Sequence, residues 1–408
     1  MKLYHREKYL KKIRGFYHDT DLIKVITGIR RCGKSCLMET IKEELFESGI
    51  LPENITYINL DKRGFKSIKT ADQLETTIDE LCTAKGTKYL FIDEIQNVSE
   101  FETVIEAYRL EGDYSIFITG SNSYLLSGDL ITKLTGRYIE FEMFPLTFDE
   151  YLGMKKFLNQ KIDTEAVELE NYILEGGFPK ALSFLSLADK RQYVIGIIKE
   201  IFEKDIRKRV KIRNVATFNA VQTYIINNFG ATTSLTNILE DLRKAGNNIT
   251  RNTLNHYIQI LIDAKIISKC DRFDLKSRKS IAGEQKYYLA DLGFYFALNT
   301  DNRINYGPVL ENLVYIYARA KGYSVSIGRV GKLECDFIMR DESINYSYVQ
   351  VAMTIYNSIE TENREYAPLE SIKDNYPKYV ITRDNLIQKR NGIIHANIES
   401  FMNDDSNF

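Results

Sequence analysis

The apolar, β-branched run Asp21–Thr27 passes directly into Gly28-Ile-Arg-Arg-Cys-Gly33-Lys34-Ser35, and a helical pattern follows from Cys36 to Glu47. Strand, glycine loop and helix in that order leave little choice of fold. The strand ends at a sheet edge, the glycines let backbone N–H groups turn inward around an anion, and the helix aims its positive end at the same point. The spacing predicts a phosphate-binding loop on a parallel α/β sheet. Its expected nucleotide contacts are Gly28, Ile29, Arg30, Arg31, Cys32, Gly33, Lys34, Ser35 and Cys36. Lys34 is expected to reach the β- and γ-phosphates as a catalytic group, and Ser35 to offer its hydroxyl to Mg²⁺.

A second apolar run, Tyr89–Ile92, ends in Asp93-Glu94, where a buried parallel strand presents carboxylates at the edge that also carries the loop. Asp93 is suited to hold Mg²⁺ through water, and Glu94 to orient and polarise an attacking water. A third run, Tyr114–Thr119, leads into Gly120-Ser121-Asn122-Ser123. Thr119, Ser121 and Asn122 are candidates to sense a terminal phosphate, although Gly, Ser and Asn also favour turns on their own account. Arg137 precedes the strand-like Tyr138–Phe144, and two roles are open to it: an arginine finger, in cis or from a neighbouring chain, or a surface salt bridge.

These motifs have further company. GIRRCGKS, YLFIDEIQ, ITGSNS, GRYIEFEMFPLTFDEYL and, later, EGGFPKAL (Glu175–Leu182) together resemble the bacterial and archaeal AAA-type P-loop ATPases that carry a C-terminal domain of unknown function. The resemblance extends over nearly the whole chain. It implies ATP as the nucleotide and supports Gly28, Gly33, Lys34, Ser35, Asp93 and Glu94 position by position, and Arg137 less directly. The absence of an NKxD motif likewise favours adenine over guanine.

The remainder is read from pattern and charge. Length (408 residues), 44% hydrophobic and 27% charged content and only 6 Pro describe a globular protein of several domains. A net charge of -1 excludes a chain that coats nucleic acid throughout, so any such contact needs a local basic patch. The five cysteines show no zinc spacing, and the charged start lacks a signal-peptide core, so the expectation is a reduced cytoplasmic compartment with no membrane partner.

Residues 151–213 read as a helical lid or connector, with Tyr193, Ile197 and Ile201 at helical spacing. Gly176-Gly177-Phe178-Pro179 breaks that pattern, and either lies near the base or forms an interhelical turn. Lys199, Lys204, Arg207, Lys208, Arg209, Lys211 and Arg213 form the densest basic run, a phosphate contact or a solvated helix face.

Within 214–298, helical segments Val215–Asn228, Leu235–Ala245 and Thr250–Asp263 precede two strands, the layout of a winged helix-turn-helix. Arg251, Asn252, Asn255 and His256 would face a groove, and Arg272, Lys276, Arg278 and Lys279 would lie on the wing. DNA and protein are both open as its partner. From 299 to 408, a helix bearing Glu311 and strands bearing Asp336 and Gln350 resemble a restriction-endonuclease-like nuclease domain, whose acids would make a second metal site. Gln350 stands where an acid is usual and Ala352 where a lysine is required, so the domain reads as degenerate, with Glu362, Arg364 and Glu365 as possible substitutes on the next helix.

The expected architecture is therefore an α/β P-loop parallel-sheet ATPase domain (1–150), a helical connector (151–213), a winged helix-turn-helix (214–298) and an α/β restriction-endonuclease-like domain (299–408). The expected activity is Mg²⁺-dependent ATP hydrolysis that switches the C-terminal recognition segments on DNA or a protein, with an oligomer left open. The alternatives are an ATP-gated DNA nuclease and a slow-turnover nucleotide-dependent scaffold.

Overall fold

The computed structural model describes residues 2–120, 134, 136–207, 210–277, 279–299 and 304–408. Contacts group the chain into two compact units, Met1–Phe144 and Pro145–Phe408. Among the described residues, no helix is long and apolar enough to cross a membrane.

In the first unit, strands β1 (Ile23–Gly28), β2 (Ile55–Asn59), β3 (Lys88–Asp93), β4 (Tyr114–Thr119) and β5 (Tyr138–Met143) form one sheet in the order β2-β3-β4-β1-β5. Every pairing in it is parallel. All six residues of β1 and of β4 are buried, as expected for central parallel strands covered on both faces. One face packs Ile23, Val25, Leu90 and Ile92 against Leu74 and Ile78 of the helix Ala71–Leu81 and Val104 and Ile105 of the helix Phe101–Glu111. Thr70 caps the first of these helices with a reciprocal capping box to Gln73, which satisfies donors at its free end. Aromatic side chains fill the other face, where Phe91 and Phe117 stack at 4.6 Å. Because the strands run parallel, the ends of β1, β2, β3 and β4 share one edge.

The second unit begins with helices Phe148–Phe157, Glu165–Glu175 and Leu187–Glu200, the last continuing as a wider π-type turn over Ile201–Ile206. Helices Val215–Asn227, Leu235–Lys244 and Arg251–Asp263 follow, then the hairpin of β6 (Ile267–Asp274) and β7 (Lys279–Leu289). Strands β8 (Ser324–Val330), β9 (Leu333–Arg340), β10 (Tyr346–Val351), β11 (Lys378–Thr382), β12 (Lys389–Arg390) and β13 (Ile393–Asn397) complete an eight-stranded sheet ordered β12-β13-β11-β10-β9-β8-β6-β7.

This sheet passes through the division expected at 298/299, because Arg272–Asp274 of the hairpin pair with Ile327–Arg329 of β8. An isolated hairpin exposes unpaired backbone groups on its edges, and a neighbouring strand satisfies one of them. The helix Tyr306–Lys321 buries ten of its residues, among them Tyr315, which stacks on Tyr288 of β7 at 4.5 Å.

Candidate functional site

The loop between β1 and the helix Lys34–Glu47 is shaped by two glycines. Gly28 has φ +144°, and a Cβ there would meet the Met143 carbonyl oxygen at 2.3 Å, so no other residue fits without moving β5. Gly33, at φ +111°, is the helix N-cap and makes no side-chain capping hydrogen bond to the first turn. Lys34 is buried and donates to the carbonyls of Gly28 (2.9 Å) and Ile29 (3.3 Å), so its ammonium sits inside the loop. Ser35 and Cys36 are exposed on the first turn, whereas Cys32 is buried and its thiol is pushed up by burial. Arg6 ties the loop down by donating to the carbonyls of Cys32 (3.1 Å) and Phe144 (2.7 Å).

At the end of β3, Asp93 is almost fully buried, and neutral groups donate to it. Asn59 Nδ2 reaches Oδ2 at 2.7 Å, Tyr57 reaches the same oxygen at 3.4 Å, and the Thr119 hydroxyl bonds Oδ1. Burial and the nearby Asp93 charge push the Tyr57 phenol up, so it acts as a donor. Thr119 also accepts from the Glu94 amide at 3.1 Å, fastening the end of β4 to both acids. Glu94 is left-handed (φ +61°), its carboxylate accepts from Gln96 Nε2 at 2.5 Å, and Arg30 Nη2 lies 3.8 Å away.

The structure thus brings Lys34, Asp93, Glu94 and Thr119 to one edge, with Ser35 on the helix that starts there. Ser121 and Asn122 lie outside the described residues. Arg137 is not brought to this edge. Its carbonyl accepts from the Ile23 amide, and the parallel register sets Tyr138 beside Ile23 and Met143 beside Gly28. That places Arg137 at the opposite end of β1, about 16 Å from the loop at ~3.3 Å per residue, with its guanidinium paired to Glu106. A finger acting on the loop of its own chain is excluded by this geometry.

Sequence reasoning missed Asn59, Tyr57, Gln96 and Arg6. Asn59 ends the apolar run Ile55–Ile58 as Asp93 ends its own, a signal that could have been found; nothing local marks Arg6.

In the second unit, Arg251, Asn252, Asn255 and His256 are exposed on their helix while Leu254, Tyr257, Ile258 and Leu261 are buried. Lys276 and Lys279 are exposed, Arg278 lies outside the described residues, and Arg272 is turned inward to Glu284 and Glu334. In the basic run, Lys204 pairs with Glu200 and Arg207 with Glu203, the pattern of a solvated helix face; Lys208 and Arg209 are not among the described residues. Gly176 and Gly177 wrap Asp291, whose carboxylate accepts from the amides of Gly177 (2.6 Å) and Gly293 (2.8 Å), and Phe178 is buried against Phe294. The glycine break is therefore a packing device within this unit. A Cβ on Gly176 would fall 2.0 Å from Asp291.

Glu311, Asp336 and Gln350 do not form an open cation site. Glu311 Oε2 is taken by Lys286 Nζ and the Tyr288 hydroxyl, each at 2.9 Å. Gln350 turns its amide nitrogen to Glu365 at 3.0 Å, and Asp336 accepts from the Val351 amide at 2.8 Å. Burial, then the Glu311 charge, push the Asp336 carboxyl well above the usual range, which favours its neutral form. Glu362 pairs with Arg390, and Arg364 with Glu365. Among the described residues, the one group of three His, Cys, Asp or Glu side chains with ligand atoms mutually within 4.8 Å is His5, Glu7 and Glu44, and Arg14 already bridges both of those glutamates.

A family model described as an AAA domain matches residues 20–152. A second, described as a domain of unknown function (DUF8612), matches residues 166–304. The chain is 35% identical over 386 residues to an uncharacterised protein of Haemophilus influenzae, covering 92% of each. It is 31% identical over 366 residues to an uncharacterised protein of Methanocaldococcus jannaschii, covering 86% of this chain and 79% of that one. A solved Walker-type ATPase of Pyrococcus abyssi superposes with a TM-score of 0.51 at 16% identity over 72% of this chain and 96% of that one, a likeness of fold.

Proposed function

The chain belongs to the family of AAA-type P-loop ATPases with a C-terminal domain of unknown function, and from that premise we propose that it binds ATP with Mg²⁺ and hydrolyses it to reposition its C-terminal recognition segments on DNA or a protein. One observation carries the reading: a glycine loop with an uncapped helix start, a buried lysine and two adjacent acids meet at one sheet edge.

Lys34 moves from the Gly28 and Ile29 carbonyls to the phosphates, which are better acceptors for an ammonium. Asp93 suits a magnesium site because neutral donors fix the orientation of its buried side chain at the loop edge. Ser35 and Asp93 would hold the ion, which neutralises phosphate charge when bound. Glu94 orients the water, and Thr119 keeps the strand end that carries it in place. For the recognition segments, three helices followed by a hairpin, with Arg251, Asn252, Asn255 and His256 exposed, support a winged helix-turn-helix with DNA as the first partner to test. The helix-and-strand order around Glu311 and Asp336 supports a restriction-endonuclease-like domain, and the lysine-filled cluster favours a degenerate one over a nuclease. Arg137, remote from its own loop, is left to act on a neighbouring chain.

Phosphate release by the wild-type protein and Lys34→Ala, measured with and without duplex and single-stranded DNA, tests this function. Turnover that Lys34→Ala abolishes and DNA stimulates is expected; equal release by both proteins would remove it.

A further inference from the structure

Gln96 and Arg30 both engage the side chain that has to orient water. Glu94 Oε2 takes the Gln96 amide at 2.5 Å and faces Arg30 at 3.8 Å, with the Arg30 and Glu94 side chains only 10% and 14% exposed. Two features show that these contacts come at a cost. Glu94 adopts a left-handed backbone that non-glycine residues avoid. Gln96 Oε1 is buried with no hydrogen-bond partner among the described residues, so the amide is turned to suit Glu94 rather than itself. Arg30 meanwhile belongs to the loop that wraps the phosphates, and a guanidinium prefers a multiply charged phosphate to a single carboxylate.

We propose that Gln96 and Arg30 clamp Glu94, and that the nucleotide's phosphates draw the Arg30 arm away so that the carboxylate turns to water only when the loop is filled. This rests on the reading of Glu94 as the group that orients water. Gln96 and Arg30 are positioning residues here: Gln96 fixes the direction of the carboxylate, and Arg30 links it to occupancy of the loop.

Because Glu94 and phosphate compete for one guanidinium, the two are coupled, and the coupling is measurable as a cycle. Affinity for a fluorescent non-hydrolysable ATP analogue is measured with Mg²⁺ for the wild type, Glu94→Gln, Arg30→Ala and the double variant, with Arg30→Gln replacing Arg30→Ala should the latter not fold. Glu94→Gln is expected to tighten binding about fivefold or more when Arg30 is present and less than about twofold when it is not. Equal tightening in both backgrounds would overturn the Arg30 arm. Gln96→Ala is expected to lower kcat about tenfold with analogue affinity within about twofold, and Gln96→Asn to recover part of the loss; an unchanged kcat would overturn the Gln96 arm. Wild-type turnover by Glu94→Gln would instead remove the underlying reading of Glu94, a result separate from either binding outcome.

Discussion

Two clusters of buried acids in this chain look alike in sequence and differ in what completes them. At the end of β3, Asp93 is surrounded by Asn59, Tyr57 and Thr119, neutral donors that orient a carboxylate without cancelling its charge. Around β7 and β9, Lys286 reaches both Glu311 and Glu334. Burial alone would push the Lys286 ammonium down, but the carboxylates of Glu311 and Glu334 paired with it outweigh burial and raise it. The first arrangement completes its acid with neutral donors, and the second supplies a lysine cation. The first acid is therefore the one to test as a magnesium ligand.

The largest effect that could break this contrast is on turnover. Glu94→Gln should lower kcat about 10³-fold, as expected for loss of a group that orients and deprotonates water, and Lys34→Ala should lower it at least as far; phosphate release measures both. A residual rate within about tenfold of wild type in either variant would put the first cluster on a par with the second. Lys286→Met should destabilise the protein by about 3 kcal/mol by leaving the Glu311 carboxylate without its counter-ion, while Glu334 keeps Arg272, read from the denaturation midpoint. The same variant should gain thermal stability on addition of Mn²⁺, whereas the wild type should not cut plasmid DNA with Mg²⁺ or Mn²⁺. Cutting that Glu311→Ala abolishes would overturn the contrast.

A smaller effect sharpens it through pH. Burial raises Asp291 to about 7 from an ordinary value near 3.8, against the pull of the Gly177 and Gly293 amides. A raised folded-state value means the folded protein holds the proton more tightly. This contribution is complete below pH ~4 and is lost as the pH rises to about 7, at most about 4 kcal/mol in all. Asp291→Asn should flatten stability against pH in that window, whatever constant offset the lost hydrogen bond adds; an unchanged slope would show that the two amides hold the carboxylate ionised. The smallest effect belongs to Arg137→Ala. Its half-exposed pair with Glu106 is worth less than about 1 kcal/mol, and turnover at low protein concentration should stay within about twofold of wild type. A loss that grows with protein concentration would assign Arg137 to a neighbouring chain's loop.

The first cluster was far more legible in sequence than the second. Gly28 to Ser35 and Asp93-Glu94 are each contiguous, and the strand that positions them is their immediate neighbour, so local pattern suffices. What completes them is set by strand order. Asn59 meets Asp93 because β2 pairs with β3 in that register, and Thr119 meets it from β4, facts no local window contains. For the same reason two roles stayed open for Arg137: the motif places it before a strand, but only the parallel register shows which edge it occupies, and there it makes the surface salt bridge with Glu106. Lys286 stands 25 residues from Glu311 on a hairpin expected to reach outward as a wing, and its docking on β8 turns it into the cluster.

A structure with Mg²⁺ and a non-hydrolysable ATP analogue bears most directly on the contrast between the two clusters. The triphosphate should lie against the amides of Gly28 to Cys36, with Lys34 transferred to it and the ion beside Ser35 and Asp93. A divalent ion among Glu311, Asp336 and Gln350, with the loop at Gly28 bypassed, would contradict the account.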